Sequence, residues 1–120
     1  MAKILVVDDE LAEFLVGMVQ CFGYETEQAL SIQEALQKLK ASPVDLVMLD
    51  MNLPDSKETQ GLEKIRGVYP NLKVVMVTGN AGDDLEKRAK ELGAAGYLLK
   101  PFVMEKLQQV LADALQQKEP

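Results

Sequence analysis

Histidine is absent from the 120-residue sequence and cysteine occurs once. A zinc centre built on His and Cys ligands is therefore excluded, and no disulfide can close within the chain. The single Cys21 lies among apolar residues in a helical pattern, which predicts a small buried or half-buried thiol without a reactive role. No apolar run approaches the roughly 20 residues that a membrane-spanning helix needs. The opening MAKILVVDDE lacks the longer apolar region and small-residue cleavage site of a secretory signal. These absences predict a cytoplasmic protein without membrane insertion. Basic stretches are missing as well: with a net charge of −6, the chain has little attraction for a phosphate backbone, and no direct nucleic-acid binding is expected. No long linker or low-complexity segment interrupts it, and its length predicts one domain spanning 1–120.

The composition is that of an ordinary globular protein, 48% apolar and 27% charged. Short apolar runs at 3–7, 45–49, 73–77 and 96–99 read as strands, with a weaker alternating one at 24–29. The Val- and Leu-rich KILVV, DLVML and KVVMV suit strands covered on both faces. Between them lie helical stripes: Leu11, Phe14, Leu15, Met18, Val19 and Phe22; then Ile32, Ala35, Leu36 and Leu39; then Leu62, Ile65 and Val68. Leu85, Ala89 and Leu92 form a fourth stripe, and Leu107, Val110, Leu111, Ala114 and Leu115 a fifth. Each stripe is expected to face the core. Ser31 with Glu34 makes a capping-box pattern, Gly23 and Gly93 follow helices, and Pro43 and Pro70 stop helices before strands. The order βαβαβαβαβα predicts an α/β fold: a doubly wound, five-stranded parallel sheet, (βα)5, most simply with strand order 2-1-3-4-5, as in flavodoxin-like proteins.

In such sheets ligands bind beyond the carboxyl ends of the strands. Four of the five predicted strands end in polar groups there: Asp8-Asp9, Asp50, Thr78 and Lys100. Each has a plain structural explanation. Asp8 and Asp9 suit the start of a helix, Asp50 ahead of Asn52 and Pro54 suits a turn, Thr78-Gly79 an ordinary strand exit, and Lys100-Pro101 a solvated turn. Convergence on one rim goes against those separate explanations. Three carboxylates held together raise one another's pKa and need a cation, and hard oxygen ligands with few side chains suit Mg²⁺, which favours sites completed by a phosphate.

These residues resemble the CheY-like receiver domains of response regulators. The resemblance runs over nearly the whole chain, through ILVVDDE, VDLVMLDMNLPD, VVMVTGNAG and GAAGYLLKPF. It implies that Asp8, Asp9, Asp50 and the backbone carbonyl of Asn52 hold Mg²⁺, that Asp50 is phosphorylated, and that Thr78 and Lys100 contact the phosphoryl oxygens. It further implies a cis bond before Pro101 and a switch in which Tyr97 follows Thr78. A carboxylate nucleophile at Asp50 would form an acyl phosphate while cations neutralise the transferred group. Since the chain has no His of its own to carry the phosphoryl group, the donor is expected to be a histidine kinase, a histidine phosphotransfer protein or a small phosphodonor. The expected function is a stand-alone phosphoacceptor response regulator of a two-component or phosphorelay system, without a separate output domain and not a turnover enzyme. Its downstream protein partner is expected on the fourth helix, fifth strand and fifth helix, where a second copy forming a homodimer is a further candidate.

Two features depart from the family pattern. The loop MNLPDSKETQ between Asp50 and Gly61 is longer than usual, and Gly79 with Gly82 predicts a mobile connection into the fourth helix. Three other functions compete with this reading. A haloacid-dehalogenase-type phosphatase needs an acid where this chain has Asn52, and flavin binding needs a phosphate cradle where it has DDELAE. The alternative that stays open is a receiver-like interaction module that is not phosphorylated.

Overall fold

A computed structural model describes residues 2–79 and 83–117, with the side chain of Asp83 left out. Gly82 therefore lies outside the described residues. The elements are β1 (Lys3–Val7), α1 (Ala12–Cys21), β2 (Glu25–Ala29), α2 (Ile32–Ala41), β3 (Leu46–Asp50), β4 (Asn52–Leu53), β5 (Ser56–Lys57), α3 (Gln60–Val68), β6 (Lys73–Thr78), α4 (Asp83–Glu91), β7 (Gly96–Leu99) and α5 (Met104–Gln116). Five strands form one parallel sheet in the order β2-β1-β3-β6-β7. This is the expected 2-1-3-4-5 order, with the β4–β5 hairpin standing apart from it.

Alternation along the central strands divides the core between two faces. Ile4 and Val6 of β1, Leu46 and Met48 of β3, and Val75 and Val77 of β6 pack with α1 and α5. Leu5, Val7, Val47, Leu49, Val74 and Met76 point the other way, against α2, α3 and α4. Burial on both faces explains why these strands read as continuous apolar runs, and each such side chain is worth about 1.5–3 kcal/mol when fully withdrawn from water. The polar strand β2, ETEQA, is half-exposed because it stands at the sheet edge.

Helix boundaries follow local chemistry. Ser31 Oγ accepts from Glu34 N at 3.1 Å, while Glu34 Oε1 accepts from Leu30 N, one residue outside the usual reciprocal box. Gly23 and Gly93, with φ of +92° and +90°, end α1 and α4 in the left-handed region that glycine favours. Expectations at five residues need correction. Cys21, at the last position of α1, is exposed rather than buried. Leu11, Phe14, Val68 and Leu92, placed on core-facing stripes, are 40%, 64%, 60% and 37% exposed, because each lies at the margin or the end of a stripe whose centre alone meets the sheet.

Candidate functional site

The carboxyl rim is assembled by the parallel ladder. Asp8 directly follows β1, Asp50 ends β3, Thr78 ends β6, and Lys100 directly follows β7. Backbone bonds extend the ladder past the strand ends: Asp8 N donates to Ala29 O at 3.1 Å, Met51 N to Val77 O at 3.1 Å and Lys100 N to Thr78 O at 2.8 Å. Side chains far apart in sequence are thereby fixed on rigid elements rather than on free loops.

One oxygen from each of Asp8, Asp9 and Asp50 lies within 4.8 Å of the others. Asp8 is buried, Asp50 is half-buried and Asp9 is exposed. Lys100 Nζ donates to Asp8 Oδ2 at 2.8 Å and stands 3.6 Å from Asp50 Oδ2. Asp8 Oδ1 also accepts from the N–H groups of Glu10 and Leu11, both at 2.9 Å, so Asp8 arranges the entry to α1 as well as the rim. Burial pushes its carboxyl up, but the bonds from Lys100, Leu11 and Glu10 outweigh burial and hold it below the usual carboxylate range. At Asp50 the balance is reversed: burial raises its pKa, Lys100 lowers it, and Asp8 raises it again, leaving it above the ordinary value. With one ammonium among three carboxylates the cluster keeps an excess of negative charge, and its hard oxygens are suited to a divalent ion.

The remaining predicted residues are distributed around this cluster. Thr78 is buried and lines a cavity of about 330 Å³ together with Asp50, Asn52, Lys57 and Glu58. Asn52 N donates to Asp50 Oδ1 at 3.2 Å. Tyr97 is not at the rim: it pairs in register with Met76 and packs, half-buried, against the core on the α4 side. Burial first, and then Glu86, raises its pKa. The Lys100–Pro101 bond is cis. Pro101 lines an apolar groove of about 480 Å³ with Leu11, Phe14, Leu15, Lys100 and Phe102.

Sequence reasoning missed the β4–β5 hairpin and what it carries. Asn52 pairs with Lys57 and Leu53 with Ser56 across a Pro54-Asp55 turn. Asp55 anchors the hairpin on α2, its two carboxylate oxygens accepting from Ile32 N and Gln33 N, both at 2.9 Å. Burial slightly opposes ionisation of Asp55, but these bonds lower its pKa. Gly61 permits the close approach of α3, since a Cβ there would meet Ile32 Cδ1 at 2.7 Å and Ser56 Oγ at 2.9 Å. Glu58 leaves the hairpin with φ of 53° and bonds Arg88 of α4 at 3.0 Å. The pair Pro54-Asp55 was the one local turn signal available.

Residues 4–112 match the response regulator receiver domain family. The chain is 32% identical over 107 residues to sporulation initiation phosphotransferase F of Bacillus subtilis (strain 168), covering 88% of this chain and 86% of that protein. It is also 32% identical over 114 residues to the transcriptional regulatory protein ZraR of Klebsiella oxytoca, but spans only 26% of that protein's length. Among solved structures, the non-phosphorylated HemR receiver domain from Leptospira biflexa has a TM-score of 0.89 at 31% identity, covering 100% of this chain and 98% of that one. A CheY-like receiver domain protein from Methanospirillum hungatei JF-1 has a TM-score of 0.87 at 31% identity, with coverage of 96% and 94%. No helix among the described residues is long and apolar enough to cross a membrane. On sequence and on fold alike, the chain belongs to the response regulator receiver domain family, phosphoacceptor switches served by a histidine kinase or phosphotransfer partner rather than turnover enzymes.

Proposed function

We propose that Asp50 is the phosphoryl acceptor and that Asp8, Asp9, Asp50 and the backbone carbonyl of Asn52 hold Mg²⁺. The observation that carries this reading is Lys100 reaching both Asp8 and Asp50, which ties three strand ends into one centre whose remaining negative charge suits a divalent ion. Bound Mg²⁺ supplies neutralisation and orientation of the phosphoryl oxygens. An Asp50 carboxylate oxygen forms the new O–P bond as the P–N bond of a phosphohistidine breaks. The electron pair leaves with the ring, which departs as neutral imidazole when its other nitrogen is protonated beforehand. Lys100 and the Thr78 hydroxyl bind the equatorial oxygens. A protein donor would cover the apolar groove beside Lys100, where Phe14 is 64% and Leu11 40% exposed, because its histidine must reach Asp50 across that rim.

Movement of Thr78 towards the phosphoryl group, followed by Tyr97, would alter the α4–β7–α5 face for a downstream protein or a second copy. Asp50→Asn tests the core of the reading. Incubated with acetyl phosphate and Mg²⁺, the native chain is expected to gain one phosphoryl mass and the variant none. Equal labelling of both would overturn the assignment and leave the interaction-module alternative.

A further inference from the structure

We infer that Lys57, on the hairpin, is a second cation for the phosphoryl group on Asp50, contacting it from the side of the cavity away from Lys100. The inference rests on Asp50 being the acceptor. Lys57 lines the same cavity as Asp50 and Thr78, whereas Lys100 does not line it. Its position is built rather than incidental. The β4–β5 register sets Lys57 opposite Asn52, Lys57 N donates to Gln60 Oε1 at 3.0 Å, and Asp55 fastens the turn to α2. Lys57 Nζ donates to Asn52 Oδ1 at 2.7 Å and to Leu53 O at 2.9 Å. Both acceptors are neutral, and among the described residues Lys57 pairs with no carboxylate. An ammonium has three donors, so one remains for an anion. The neighbouring acid on the same cavity, Glu58, is engaged by Arg88 and competes less for that ammonium.

Charge supplies the reason for the contact. Phosphorylated Asp50 carries about −2 beside the carboxylates of Asp8 and Asp9. A divalent cation and Lys100 leave roughly one negative charge over, and Lys57 is the cation placed to offset it. With acetyl phosphate as donor, an Asp50 oxygen forms the O–P bond while the bond from phosphorus to the acetyl oxygen breaks. Its electron pair departs with acetate, so no proton transfer is needed. Lys57 favours this step by charge as the anionic donor enters.

The test compares the native chain with Lys57→Gln and Lys57→Arg in three measurements: labelling rate at subsaturating acetyl phosphate, BeF₃⁻ affinity by amide NMR, and Mg²⁺ affinity without a phosphoryl group. Lys57→Gln is expected to label about three- to tenfold more slowly and to bind BeF₃⁻ correspondingly more weakly, as loss of one partly exposed charge-assisted bond predicts. Lys57→Arg should retain most of both. Mg²⁺ affinity in Lys57→Gln should stay level or rise, because a cation near a cation site has been removed. Unchanged labelling and BeF₃⁻ affinity overturn the inference. So does a parallel loss of Mg²⁺ affinity, which would mean that Lys57 acts only by holding Asn52. If the native chain itself is not labelled, the reading of Asp50 falls, and this inference with it.

Discussion

The two sides of Asp50 are made of different material. Towards β1 and β7, the buried Asp8 and the largely buried Lys100 form a short ion pair held by the ends of two sheet strands. Towards the hairpin, Asn52, Lys57 and Glu58 are exposed on a two-stranded excursion whose hold on the rest comes from Asp55, Gly61 and Arg88. The first side sets the charge state of the centre, because its groups have little solvent to relax into. On the second side, water competes with every polar contact, so that side governs access and adjusts rates. The apolar groove lies with the buried side and the polar cavity with the hairpin. A protein donor and a small anionic donor accordingly have different approaches to one acceptor.

The largest effect is expected on the buried side. Lys100→Met removes the cation and leaves Asp8, 1% exposed, with only backbone donors. Without divalent ion this should cost about 2–3 kcal/mol in urea unfolding, and Mg²⁺ should restore part of it. A cost as small as that of an ordinary surface substitution would show that the two sides do not differ in this way. Next comes the groove. Phe14→Ala should slow transfer from a phosphorylated protein donor by about five- to tenfold and leave labelling by acetyl phosphate unchanged. An equal slowing with both donors would remove the groove as a docking face.

The pH dependence of Asp50 separates burial from pairing. Its folded pKa is raised, by burial foremost, so the folded state holds the proton more tightly than the unfolded one. The resulting stabilisation is complete below the unfolded carboxyl range and is lost as pH rises through the folded value. At pH 7 it is gone, and the charged carboxyl stands against the fold. Asp50→Asn should then be more stable than the native chain by about 1 kcal/mol at pH 7 without Mg²⁺, with the gain shrinking as pH falls through that range. Thermal melts across the range measure it, and a constant difference would point to packing rather than charge.

The same contrast explains what was legible in the sequence. Strands β1, β3 and β6 announced themselves because both of their faces are buried, and their ends, with that of the shorter apolar run of β7, placed Asp8, Asp50, Thr78 and Lys100 on one rim. The exposure of Phe14 was not legible, since an apolar residue at a stripe margin carries the same spacing whether it meets the sheet or a groove. The hairpin was less legible still. Two-residue strands have no periodicity, and its anchors, Asp55 on α2 and Glu58 on α4, are contacts between segments distant in sequence. Glu58 at φ 53° is a non-glycine in the left-handed region, which no local pattern announces.

The smallest effect is expected at the outer anchor. Glu58 and Arg88 meet at 3.0 Å, but their side chains are 58% and 49% exposed, so solvent and salt screen the pair. A double-mutant cycle through Glu58→Gln and Arg88→Gln should give a coupling below about 0.5 kcal/mol, falling further in high salt. Solvent-exposed pairs of this kind are weak because holding two long side chains in one geometry costs entropy that a screened attraction barely offsets. A coupling of about 1 kcal/mol or more, insensitive to salt, would mean that the hairpin and α4 move as one body. The exposed side would then share the rigidity of the buried side, and a change at Asp50 would reach α4 through Glu58 as well as through Thr78. Measured with BeF₃⁻ bound and without it, the same cycle shows whether the pair tightens or loosens when the centre is loaded. An unchanged, small value in both states confines Glu58–Arg88 to the modest task of neutralising an acid at the mouth of the cavity.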